Sequence, residues 1–158
     1  MKPNPIPPQE PASKERLRLW LKLLKITSEI EAELRRRLRD DHDTTLPRFD
    51  VMAALSRHPE GLKMSDLSGY LKVSNGNVTG IVNRLTEEGL ALRVAVPGDK
   101  RAQLARMTPK GFEVFVELAN AHETWIDELL GGLSQDETRL ALEFLNRTLT
   151  IGDDDDLG

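Results

Sequence analysis

Between Ser74 and Arg84 the chain reads SNGNVTGIVNR. Laid on a helix, Ser74, Asn75, Asn77, Thr79, Gly80, Asn83 and Arg84 form one stripe opposite Val78, Ile81, Val82 and Leu85. Amide and hydroxyl side chains both donate and accept hydrogen bonds, which is the chemistry that base edges and phosphate oxygens require. Three asparagines and two glycines are poor helix formers, so the composition favours contact over stability. An ordinary solvated face is the competing reading, although such a face more typically carries Glu and Lys. Arg84 closes the stripe and has two open roles, contact with a phosphate or pairing with an acid in the same module. A second group, Pro97-Gly98-Asp99-Lys100-Arg101, sets two adjacent cations in a turn-forming segment.

The elements that must position these groups follow from spacing. Ser13 is read as the cap of a long first helix, with Leu17, Trp20, Leu21, Leu24, Ile30, Leu34 and Leu38 spread over a face broader than one neighbour covers. That breadth points to a partner beyond the domain, and burial within one chain is the alternative. Thr45-Leu46-Pro47 starts a second helix, which His58-Pro59-Glu60-Gly61 breaks. Ser65 is expected to cap a short third helix and Ser74 the fourth, which Gly89 ends. The period then changes to two around the Pro97–Arg101 tip, predicting a hairpin. Thr108-Pro109 opens a fifth helix running to Gly131-Gly132, and Ser134 with Glu137 forms a capping box for a sixth. The expected fold is mainly α with a small β-hairpin wing. It is a winged helix-turn-helix over about 46–108, flanked by helices at about 13–41 and 109–150. Residues 13–151 read as one domain, 1–12 as a proline-rich disordered arm and 152–158 as an acidic disordered tail.

The net charge of −4 hides a division: residues 1–45, 46–108 and 109–158 carry +2, +3 and −9. Phosphate attraction decays over about 8 Å at physiological salt, so a basic middle can serve an acidic chain. The absence of cysteine excludes disulfides, thiolate metal sites and a cysteine nucleophile. No run approaches the roughly 18 to 20 apolar residues of a membrane span, and the amino terminus lacks a secretory signal's apolar core, so a cytoplasmic location is expected. No phosphate loop, metal-ligand spacing or activated nucleophile points to an enzyme, and no cofactor is expected. The Asp40-Asp41-His42-Asp43 run lacks a turn to converge its groups on a cation. Arg35, Arg36, Arg37 and Arg39 form a basic cluster with two readings, an anion or DNA-flank contact and local pairing with acids. Met64 and Met107 read as packing residues.

The run LSGYLKVSNGNVTGIVNRLTEEGLALRVAVPGDKRAQLARMTPKG resembles the MarR family of winged helix-turn-helix transcriptional regulators. Asn83-Arg84-Leu85, Glu88-Gly89-Leu90, Asp99-Lys100-Arg101 and the stretch Leu104–Gly111 together carry the likeness, over about residues 14–150. The resemblance implies a homodimer knit by the first, fifth and sixth helices, presenting two recognition helices to a pseudo-palindromic site on double-stranded DNA. It further implies that Ser74, Asn75, Asn77, Thr79 and Asn83 face the major groove or its phosphates, that Lys100 and Arg101 form the wing-tip pair, and that Asp99 orients that tip. Lys100 departs from the more usual arginine and lacks a planar fork for bidentate contact. Gly80 departs where a longer side chain is frequent.

Family likeness also implies release of DNA by a small aromatic, phenolic or carboxylated ligand bound between the flanking helices and the winged module. By position the candidate lining is Trp20, Leu24, His42, Arg48, Met52 and Leu67. Trp20 and Met52 have a plain core reading, and His42 a hydrated-loop reading. The leading expectation is a ligand-released repressor. The alternative is a winged-helix protein-interaction module without DNA binding, motivated by the acidic tail and Gly80 and opposed by the basic wing.

Overall fold

A computed structural model describes residues 10–71 and 75–149. Among them, six helices and three strands follow in the order α1 (Ala12–His42), α2 (Leu46–Arg57), β1 (Leu62–Lys63), α3 (Met64–Leu71), α4 (Asn75–Glu87), β2 (Ala91–Val96), β3 (Asp99–Met107), α5 (Pro109–Leu129) and α6 (Gln135–Asn146). The chain falls into two compact units, one ending at His122 and one beginning at Glu123, a boundary inside α5.

Local chemistry accounts for most of the element ends. Pro11, not Ser13, is the N-cap of α1 and supplies no side-chain cap bond. Its carbonyl accepts from the Lys14 N–H at 2.9 Å, so the helix begins on backbone alone and Ser13 falls inside the first turn. At the other end Asp43 adopts a left-handed φ of 48° and its N–H bonds the Arg39 carbonyl, a stop that leaves His42 as the last helical residue rather than a loop residue. Thr45 caps α2, its side chain accepting from the Arg48 N–H at 3.3 Å. Ser65 is not the start of α3, because the chain enters that helix from β1 at Met64. Ser74, expected as the cap of α4, lies outside the described residues.

The three strands form an antiparallel sheet in the order β1-β3-β2. Leu62 pairs with Ala105, and Ala91 through Ala95 pair with Met107 through Gln103. The register slips between Ala95 and Val96, so that Val96 faces Asp99 across Pro97-Gly98. Gly98 has φ +83°, the conformation that a turn with proline before glycine demands.

The core of the first unit lies between α2, α3, α4 and the sheet. Val51, Leu55, Leu67, Val82 and Ala105 are wholly buried, with Met52, Val78 and Leu85 nearly so. Gly89, at φ +74°, ends α4, and Thr108 ties that end to the start of α5. The Thr108 hydroxyl donates to the Gly89 carbonyl at 2.7 Å and accepts from the Gly111 N–H at 3.0 Å. Gly111 is required there, since a Cβ would stand 2.0 Å from the Leu90 carbonyl oxygen. In α1 only Leu34 and Leu38 are buried; Leu17, Trp20, Leu21 and Leu24 are about half exposed. In the second unit, Ser134 and Glu137 form the reciprocal capping box of α6, a helix with no buried residue.

Candidate nucleic-acid interface

The apolar side of α4 is seated in the core through Val78, Val82 and Leu85. Burying each such side chain contributes roughly 1.5–3 kcal/mol, so this face orients the helix and leaves the opposite side free to vary. Asn77, Thr79, Gly80, Asn83 and Arg84 are all exposed there, while Ile81 is half-buried at the edge. Asn75 is the first residue of α4, and Ser74 lies outside the described residues.

Asn83 does not present its whole amide to solvent. Its Oδ1 accepts a 2.5 Å hydrogen bond from Arg93 on β2, whose guanidinium also donates to Gln103 Oε1 on β3 at 3.1 Å. Sequence reasoning missed Arg93, because within a strand it reads only as one member of an alternating pattern. Arg84 remains exposed at the end of the stripe, and its charge helps hold the Glu88 carboxyl below the usual range. The larger cause of that lowering is the hydrogen bond Glu88 accepts from Arg48.

At the wing tip, the Asp99 side chain accepts from the Arg101 backbone N–H at 3.0 Å. That bond stiffens the stretch where the register slips, and Lys100 and Arg101 stand exposed on it. Among the described residues no carboxylate forms an ion pair with either. The arginines of α1 contrast with this. Arg35 pairs with Glu31, Arg36 with Glu33 and Asp40, Arg37 with Glu33, and Arg39 with Asp40. Hydrogen bonds from Arg36 and then Arg37 lower the Glu33 carboxyl to about 2. Local pairing therefore describes that cluster.

Among the described residues, hollows adjoin α2. One of about 770 Å³ lies between the start of α2 and α4, with Arg48, Asn77, Gly80, Ile81, Arg84 and Glu88 in its wall. A smaller one of about 170 Å³ is bounded by His42, Arg48, Met52, Val114, Glu117 and Leu118. Of the six residues expected to line a ligand pocket, the structure brings His42, Arg48 and Met52 to this smaller hollow. Trp20 and Leu24 are instead on the exposed part of α1, where the helix has no cover, and Leu67 is wholly buried in the core. Thr44 borders both hollows, and its Oγ1 is buried with no hydrogen-bond partner. Among the described residues no group of three or more His, Asp or Glu is arranged to hold a metal ion, and no helix is long and apolar enough to cross a membrane.

A polar-faced helix seated by its apolar side, with a short helix before it and a two-stranded basic wing after it, defines a winged helix-turn-helix protein. The MarR family model matches residues 42–102. A MarR family transcriptional regulator from Silicibacter pomeroyi is 35% identical and superposes with a TM-score of 0.71, over 87% of this chain and 95% of that one. The chain belongs to the MarR family of transcriptional regulators. It is also similar to the transcriptional activatory protein BadR of Rhodopseudomonas palustris, at 32% identity over 66% of this chain and 62% of BadR. The fold matches that of Sco3205, a MarR family transcriptional regulator of Streptomyces coelicolor solved in complex with DNA. The TM-score there is 0.72 at 24% identity, covering 90% of this chain and 89% of Sco3205.

Proposed function

We propose that this regulator binds a pseudo-palindromic site on duplex DNA as a homodimer, in the cytoplasm, and represses transcription until a small aromatic phenol or carboxylate releases it. The observation that carries this reading is the α4 stripe. Asn77, Thr79, Asn83 and Arg84 are exposed together on a helix held from behind by Val78, Val82 and Leu85, as a helix entering the major groove requires. Asn75 and Ser74 extend the stripe in sequence. Lys100 and Arg101, without carboxylate partners among the described residues and oriented through Asp99, supply the phosphate-facing charge of the wing. The half-exposed apolar residues of α1 offer a face that a second copy would cover. For the ligand, the hollow at His42, Arg48 and Met52 sets an arginine beside Val114 and Leu118, with Asp43 and Glu117 also in its wall; the arginine can pair a carboxylate and the acids can accept a phenol hydroxyl. Such a ligand acts only by favouring an arrangement that holds DNA less well.

Fluorescence-anisotropy titration against duplex from the region beside the protein's own gene tests this directly, with random duplex as control across a salt series. Tight, salt-sensitive binding that prefers the native duplex is expected. A folded dimer that binds neither duplex at low salt would sink the proposal.

A further inference from the structure

Arg93 makes a side-chain hydrogen-bond bridge between α4 and the wing. From β2 its guanidinium reaches Asn83 on the outward face of α4 at 2.5 Å and Gln103 on β3 at 3.1 Å. Gln103 stands two residues beyond Arg101 on the strand that carries the wing tip. Both acceptors are neutral amides, and no carboxylate pairs with Arg93 among the described residues. The Nε atom is buried and unpartnered, so the root of the fork is fixed by packing while its two ends hold separate elements. A guanidinium is planar and its donors diverge at set angles, which makes it a spacer as well as a charge.

We infer that Arg93 is a positioning residue that fixes the spacing between α4 and the Lys100–Arg101 tip, so that helix and wing meet one duplex together. This rests on the DNA-binding reading above. Loss of the fork frees the wing to swing on its slipped register, and a wing out of place neutralises no phosphate.

The probe is a duplex selected from a random pool by the wild-type protein, read by anisotropy across a salt series beside random duplex. Arg93→Lys keeps the charge and removes the fork; Arg93→Met keeps the unbranched stem and removes every donor to Asn83 and Gln103. Each is expected to weaken binding of the selected duplex by at least about tenfold at ~150 mM salt and to reduce the salt slope by about 4, as loss of four phosphate contacts, two from each wing of the dimer, requires. Lys100→Ala combined with Arg101→Ala should do the same, and adding Arg93→Lys or Arg93→Met to that pair should bring no further loss. Independent contacts would instead give losses that multiply, and that result overturns the inference. Wild-type binding by Arg93→Lys overturns it as well. Thermal unfolding checks that each variant is folded; should Arg93→Lys not fold, wild-type binding by folded Arg93→Met is sufficient to reject the bridge. If the wild-type protein selects no duplex and binds none at low salt, the DNA-binding reading itself fails, a result separate from normal binding by the variants.

Discussion

Leucines at helical spacing meet opposite fates in two parts of this molecule. In the winged module, Leu55, Leu67 and Leu85 are sealed in a core built from three helices and a sheet. In the first half of α1, Leu17, Leu21 and Leu24 recur just as regularly, yet about half of each side chain meets solvent. The difference is one of cover, since α1 is buried only at Leu34 and Leu38 near its end. Periodicity records that a face needs burial; it does not say whether the same chain buries it. The winged module is thus complete in its packing, whereas the apolar face of α1 is incomplete in one copy.

The largest effect should come from disturbing the complete region at its tightest point. Gly111→Ala would force a methyl group to within 2.0 Å of the Leu90 carbonyl. Overpacking commonly costs about 1–3 kcal/mol, and a backbone obstacle cannot rotate away, so a loss of about 3 kcal/mol or more is expected in urea denaturation. A loss under about 0.5 kcal/mol would show that this junction is looser than the core around it.

Leu21→Asp breaks the comparison from the other side. In a single copy the residue is 54% exposed, so folding of the monomer should change little. In the proposed dimer the charge would be desolvated at the interface, and sedimentation equilibrium should show dissociation at concentrations where the wild type is dimeric. An unchanged dimer would remove this face from the interface.

The contrast also explains what the sequence made legible. Thr45, Gly89, Thr108 and the Ser134–Glu137 box act within a few residues of themselves, so residue type and spacing revealed them. The stripe of α4 was readable because one face is defined by the burial of the other. β1 was not, since two residues show no period and become a strand only by pairing with Leu104 and Ala105. Arg93 was hidden for a related reason, because its role lies in two partners on different elements. Trp20 and Leu24 were placed with the ligand hollow by family position, while their exposure depends on what covers α1.

A smaller effect, with a definite sign, comes from His122. Its ring stacks on Phe49 at 4.8 Å between centroids, and burial lowers its pKa below the ordinary 6.5. The folded state therefore binds a proton less readily than the unfolded chain. Its contribution is fully present above about pH 6.5 and is lost as the pH falls through the lower folded value. Urea midpoints should decline on acidification over that range, and His122→Gln should flatten the decline. An identical pH slope in the variant would assign the loss to other groups.

The smallest change sharpens the comparison where the complete region meets its partner. Gly80 lies on the exposed side of α4, and a Cβ there would find nothing within 4 Å. Packing does not explain the glycine, and alanine should stabilise the helix by up to about 1 kcal/mol. If the glycine serves close approach of the backbone to DNA, Gly80→Ala should raise the urea midpoint while weakening binding to the preferred duplex. Opposite movement of stability and affinity would separate a contact requirement from a folding requirement at one position. A variant that is more stable and binds with unchanged affinity and preference would show that the groove leaves room beside Gly80, and that specificity is set by the longer side chains around it.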